Sequence, residues 1–189
     1  MCLISWYIGL LYAPLKVLWT LAGGGWVILG SWLLYRGVGV WSSVPQVLRL
    51  VGGVLALWVA WLAGAQARLL GINFLFSVLV LVWVADIFAY FAGRAFGGRV
   101  FARKLAPSIS PGKTWEGACG GMLGVVAFAF LWRALDTSLD LGVASIYTRL
   151  AKISGGFMVL VVLFLAAMSV VGDLVESLFK RSAGVKDSS

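Results

Sequence analysis

Long apolar runs broken by short clusters of Arg, Lys, Gly and Pro set the pattern of this chain. Residues 47–65 form one run, long enough at 1.5 Å per residue to cross the hydrocarbon of a bilayer, and Gln66 and Arg68 end it. Residues 72–92 form the next, carrying Asp86 and delivering the chain to a basic loop that opens at Arg94. Residues 117–132 with their flanks make another. Its Gly117, Gly120, Gly121 and Gly124 include Gly-x-x-x-Gly spacings, which we read as close helix packing and not as chemistry. Residues 155–171 are the last run. The first forty residues are apolar but interrupted by Pro14, Lys16 and Gly23 to Gly25, so they predict either one kinked span and a short one or a re-entrant pair. Residues 133–152 set Asp136 and Asp140 against Arg133, Arg149 and Lys152 and read as an outside loop. The expected fold is all-α: one membrane domain over residues 1–189, a polytopic bundle of about five to six transmembrane helices. Within it, residues 1–85 are apolar spans and residues 86–189 carry the motifs.

Composition strengthens this reading. A hydrophobic content of 62% and a mean hydropathy of +1.02 exclude an ordinary soluble domain. Ten tryptophans and five tyrosines, several near the ends of apolar runs, suit the interfacial belt, although any one of them reads equally well as a packing residue. A net charge of +8 raises nucleic acid as a partner, yet the basic residues sit in short loops beside apolar spans. Orientation and anionic headgroups explain that placement better, so membrane lipids are the expected partners and nucleic acid is not. The loop over residues 94–113 (Arg94, Arg99, Arg103, Lys104, Lys113) and the tail (Lys180, Arg181, Lys186) are expected on the cytoplasmic side of the cell membrane. Two spans separate them, which is self-consistent. No basic n-region precedes the first apolar run, so a signal peptide is not expected. Cys2 and Cys119 predict no disulfide framework. With no histidine, zinc or general-base chemistry built on that residue is excluded, and any metal is expected on oxygen ligands, as magnesium or a similar hard cation.

Three stretches could carry chemistry. Asp86 lies about two helical turns before Arg94, inside a span where an ionised acid costs up to roughly 3 kcal/mol and needs a partner or a watery cavity. Tyr90 and Gly93 extend its face. An acid used only to pair helices is the competing reading. Ser110-Pro111-Gly112-Lys113-Thr114 reads as a helix start, with Ser110 as N-cap and Pro111 at the first helical position, and free N–H groups beside Lys113 and Thr114 suit a phosphate. A P-loop is rejected because Pro107 stands where its first glycine belongs and no strand precedes. A basic loop that only fixes topology stays open beside this. Asp173, Glu176, Ser177 and Lys180 follow at i, i+3, i+4 and i+7, on one helix face, so a metal-binding carboxylate and a phosphate-binding lysine could share a cavity. The alternative there is a solvated helix end with a Glu176–Lys180 pair worth about 0.3 to 0.5 kcal/mol.

In order, Asp86-x-x-Ala-Tyr90-x-x-Gly93-Arg94-x-x-Gly97, then Ser110-Pro111-x-Lys113-Thr114-Trp115-Glu116-Gly117, then Ser177-Leu-Phe-Lys180-Arg181 with Lys186-Asp187-Ser188-Ser189, resemble the blocks of the phosphatidate cytidylyltransferases. The resemblance implies an all-helical membrane enzyme that joins CTP to phosphatidic acid, releasing pyrophosphate and leaving CDP-diacylglycerol. It implies catalytic roles for Asp173, Lys180 and Lys113. Substrate contacts are implied at Asp86, Tyr90, Ser110, Thr114, Ser177, Arg181 and Lys186, and magnesium on Asp173 and Asp187, with a second ion and a homodimer left open. The family's signature continues through a His-Gly-Gly segment to Asp-Arg-x-Asp, whose acids share the metal with Asp173, whereas this chain ends at Ser189. The 189-residue polypeptide alone is therefore expected to have little activity. A non-catalytic, lipid-binding membrane subunit is the rival from another class. A transporter with Asp86 in its pathway is weaker, because nothing repeats internally.

Overall fold

The computed structural model describes all residues except 3, 4, 6–8, 140, 141 and 186–189. Among the described residues, a 3-10 turn at Leu10–Tyr12 is followed by seven α-helices: α1 (Lys16–Arg36), α2 (Val38–Ser43), α3 (Gln46–Leu70), α4 (Ile72–Phe96), α5 (Trp115–Leu139), α6 (Ile146–Ala151) and α7 (Gly155–Ser182). Five of them, α1, α3, α4, α5 and α7, are long and apolar enough to cross a membrane. No strand occurs among the described residues. The protein is an all-α, multi-pass membrane bundle.

The helices run further than the apolar pattern indicates. α7 continues past residue 171 to Ser182, and α4 carries Arg94 in its last turn, where a cation suits the helix dipole. In the first forty residues the described chain breaks at Pro14 and Leu15 and again at Gly37, not at Gly23 to Gly25. Gly23, Gly24 and Gly25 all lie inside the single helix α1, so they do not interrupt the chain as the sequence suggested, while residues 3, 4 and 6–8 lie outside the described residues. Lipid offers the backbone no hydrogen-bond partners, so helix remains the satisfied state even with three glycines. The preceding turn is held by Gln66 on α3, whose Nε2 donates to the carbonyls of Leu11 and Ala13 at 3.1 and 3.2 Å.

The seam between α4 and α5 is the closest in the bundle, and glycine makes it. A Cβ at Gly121 would stand 2.8 Å from the Ala85 carbonyl oxygen, one at Gly117 would stand 2.9 Å from that of Ala89, and one at Gly120 would overlap the methyl of Ala92. The packing reading of these glycines is thus correct. Their absent side chains let α4 and α5 touch along their backbones, which sets α4's polar stripe directly against the start of α5.

The stretch 133–152 is not one loop: helix occupies much of its described part, and Asp140 lies outside the described residues. Residues 133–139 finish α5, and Ser145 caps the short helix α6, its Oγ accepting from the Thr148 N–H at 3.3 Å. Asp136 turns inward there. Its Oδ2 accepts from the Ser145 N–H (3.0 Å), the Ser145 hydroxyl (2.5 Å) and the Thr148 hydroxyl (2.5 Å), and its Oδ1 from Asn73 Nδ2 (2.8 Å). Beneath this knot Leu81, Val125, Tyr147, Met158 and Val162 form the main core. A second apolar cluster at the other end packs Leu33, Ile109, Val175 and Leu178, flanked by Trp41 and Phe179. The first two helices thereby brace α7 and the loop between α4 and α5.

Candidate active site

At the end of the bundle where α4 passes into that loop lies a cavity of about 440 Å³. α4 lines it with Asp86, Tyr90, Gly93 and Arg94, α7 with Val170 and Asp173, and α5 with Gly117 and Ala118. Leu105, Gly112, Lys113 and Thr114 close it from the loop. Successive turns of α4 put Asp86, Tyr90 and Arg94 in line, and Arg94 Nη1 donates to the Tyr90 hydroxyl at 3.0 Å. From the loop, the Lys113 ammonium makes an ion pair with the Asp173 carboxylate. Lys113 is the more enclosed, its side chain 27% exposed against 44% for Asp173. Burial pushes its pKa below the 10.5 of an ordinary lysine, while the charges of Asp86 and Glu176 oppose that shift.

The loop reaches this geometry by a turn, which corrects the expectation at Ser110. Ser110 does not cap a helix and Pro111 does not open one. Instead Ser110 to Lys113 form a β-turn, with the Lys113 N–H donating to the Ser110 carbonyl at 3.1 Å. Pro-Gly at the two central positions is turn chemistry, because proline presets the first bend and glycine resists neither. The Lys113 carbonyl is taken by the Leu105 N–H at 3.1 Å, and Lys104 Nζ donates to the Pro111 carbonyl at 2.6 Å, so the loop doubles back on itself. α5 starts four residues later than Pro111, at Trp115, and Thr114 caps it, Oγ1 accepting from the Gly117 N–H at 3.1 Å. Gly93 makes room for this cap, since a Cβ there would stand 3.2 Å from Thr114 Oγ1.

Of the residues singled out in the sequence, Asp86, Tyr90, Lys113, Thr114 and Asp173 meet in the cavity, whereas Ser110, Ser177, Lys180 and Arg181 are not among its lining residues. Lys180 pairs with Glu176 at 2.7 Å on the exposed side of α7, the helix-surface alternative weighed above. Arg181 Nε donates to the Ile109 carbonyl at 3.4 Å, tying α7 to the loop. Lys186 and Asp187 lie outside the described residues. Arg94 was missed as a site residue, although its place four residues beyond Tyr90 is the same helical signal that singled out Tyr90. Among the described residues, no group of three or more acids or cysteines stands ready to hold a metal. Two carboxylates, Asp86 and Asp173, do share one cavity.

Five membrane-length helices with acids, a lysine and an arginine gathered at one end define a polytopic membrane protein with a charged site at the edge of its apolar belt. The chain belongs to the cytidylyltransferase family, whose model matches residues 1–189. It is similar to the phosphatidate cytidylyltransferase of Haemophilus influenzae, with 46% identity over 119 residues, 63% of this chain and 37% of that one. The phosphatidate cytidylyltransferase of Pseudomonas aeruginosa is 41% identical over 156 residues, 82% of this chain and 51% of that one. That of Brucella abortus biovar 1 is 37% identical over 177 residues, 93% of this chain and 56% of that one. The chain thus spans about half the length of the curated relatives it matches, or less. No solved structure matches it.

Proposed function

We propose that this chain forms the charged core of a phosphatidate cytidylyltransferase, which transfers a cytidylyl group from CTP to phosphatidic acid during phospholipid biosynthesis. The observation that carries the reading is the cavity itself: residues from the first two motif blocks and Asp173, just before the third, line one space at the end of an apolar bundle. In the reaction a phosphate oxygen of phosphatidic acid forms a bond to the α-phosphorus of CTP. The bond from that phosphorus to the bridging oxygen breaks, and pyrophosphate leaves with the electron pair. Catalysis of this kind rests on positioning and on charge already in place. Lys113 exchanges Asp173 for a phosphate oxygen, and Arg94 reaches the same rim. Thr114 holds the first turn of α5 open towards the anion, and Tyr90 orients Arg94. Asp173 and Asp86 fit a hard cation, because magnesium is commonly held by one or two carboxylates together with substrate phosphates. When bound, that ion supplies charge neutralisation for the leaving pyrophosphate. Asp187 is a further candidate ligand.

The test is transfer of label from CTP into lipid, in detergent with phosphatidic acid and magnesium. The polypeptide to use is the 189-residue chain followed by the C-terminal part of the Pseudomonas aeruginosa relative that lies beyond its match. Labelled CDP-diacylglycerol is the expected product. A folded chimera that forms none would leave the non-catalytic, lipid-binding reading in its place.

The same reading sets orientation, because CTP is cytoplasmic. In a background carrying Cys2→Ser and Cys119→Ser, single cysteines at Ser108 and Ser182 are expected to react with an impermeant reagent only from the cytoplasmic side. Labelling from opposite sides would break the site in two.

A further inference from the structure

Glu116 is an acid in the first turn of α5, 7% exposed, and it does not face the cavity. Its Oε1 accepts three backbone N–H groups of the loop that follows α4: Gly98 at 3.0 Å, Val100 at 3.1 Å and Phe101 at 2.9 Å. Three donors within four residues can converge on one oxygen only where the chain curls around it. Gly98, at a φ of 77°, takes the left-handed conformation that glycine alone adopts freely. The curled segment runs on to Lys104 and Leu105, which bind the carbonyls of Pro111 and Lys113. A continuous path therefore leads from the Glu116 carboxylate through residues 98–101 and Leu105 to the backbone of Lys113.

We propose that Glu116 is the positioning residue of this site, holding the loop after α4 so that Lys113 stands in the cavity against Asp173. The inference rests on the cytidylyltransferase reading for its consequence in nucleotide binding, but not for the clamp itself. Without the carboxylate, three N–H groups in the loop lose a charged acceptor at once, and the loop has little else there to hold its shape. Among the described residues, the Arg99 N–H bonds only to the Phe96 carbonyl.

Two variants separate positioning from mere stability. Glu116→Ala removes the acceptor. Glu116→Gln keeps a carbonyl at Oε1 and changes only Oε2, which has no hydrogen-bond partner among the described residues, so the three loop N–H groups keep their acceptor. In the 189-residue chain in detergent, Glu116→Ala is expected to speed hydrogen exchange at Gly98, Val100, Phe101 and Leu105 by about tenfold or more, with the α7 core unchanged. Lys113 should be acylated by a small amine reagent about tenfold faster once it is released from its enclosure, and Glu116→Gln should return both readouts to within about threefold of the parent. The affinity for CTP with magnesium should fall about tenfold in Glu116→Ala and recover in Glu116→Gln. Unchanged exchange, or unchanged Lys113 acylation despite faster exchange, would overturn the proposal. A parent chain that binds no CTP while both loop readouts move as expected would count against the nucleotide reading and leave the clamp supported.

Discussion

Replacing Asp173 with asparagine in the chimera is expected to slow cytidylyl transfer at least about a hundredfold while leaving the protein folded. Asparagine has nearly the same shape, and the Asp173 side chain is 44% exposed on the cavity wall, so little packing is at stake. A surface change of this type normally alters stability by no more than about 0.5 kcal/mol. What disappears is a full negative charge in a partly enclosed site, together with the ionic partner of Lys113. The lost charge has two consequences. A cation bound as proposed would lose one of two candidate carboxylate ligands, and Lys113, whose ammonium is already disfavoured by burial, loses its ion-pair partner. Both act on charge that must be in place before pyrophosphate departs, and a single lost stabilising group in such a centre costs roughly a hundred- to a thousandfold. Rates of label transfer from CTP to lipid, measured beside thermal unfolding in the same detergent, check this. Turnover within threefold of the parent at equal stability would remove Asp173 from the chemistry and leave the cavity as packing geometry.

The parts of this site that could be read in the chain are those that leave a periodic trace. Asp86, Tyr90 and Gly93 repeat at helical spacing in an apolar run, and that repeat alone brings them to one face. The glycines of α5 were legible as packing for a related reason, since close approach of two helices excludes larger side chains and so writes itself into residue type. Contacts to backbone leave no such trace, because every residue except proline offers the same N–H. Glu116 therefore gave no signal of its own beyond its place in the second block, though its partners lie 15 to 18 residues away in the loop. Ser110 shows the converse. Ser-Pro is a common helix opening and Pro-Gly a common turn, and the choice between them came from the pairing of Leu105 with Lys113, which local sequence does not encode. Lys180 had the right spacing from Asp173 but a nearer acid, Glu176, one turn back on its own helix.

Asp136 is where charge was most misleading, and Asp136→Ala is expected to destabilise the protein by about 3 kcal/mol or more without touching the active-site cavity. Its position among Arg133, Arg149 and Lys152 suggested an outside loop, yet among the described residues no lysine or arginine pairs with it. Its four hydrogen bonds come from Asn73, the Ser145 backbone and the hydroxyls of Ser145 and Thr148. Asn73 in turn accepts from Trp132 Nε1 at 3.0 Å and donates to the Val143 carbonyl at 2.7 Å. One carboxylate thus ties α4, α5 and the start of α6 together, at the end of the bundle opposite the cavity. Hydrogen bonds to a charged acceptor contribute about 1.5 to 3 kcal/mol each, and stranding buried donors adds to the loss. Asparagine should not rescue: its amide offers one acceptor oxygen where donors converge on both carboxylate oxygens, so one side of the knot would face donor against donor. Thermal unfolding of Asp136→Ala and Asp136→Asn in detergent should show large downward shifts for both. Lys113 acylation at a temperature where each is still folded should match the parent. Equal melting of the parent and Asp136→Ala would mean that the knot is not what joins α6 to the bundle, and altered Lys113 reactivity in the folded variants would mean that the two ends are coupled through α5.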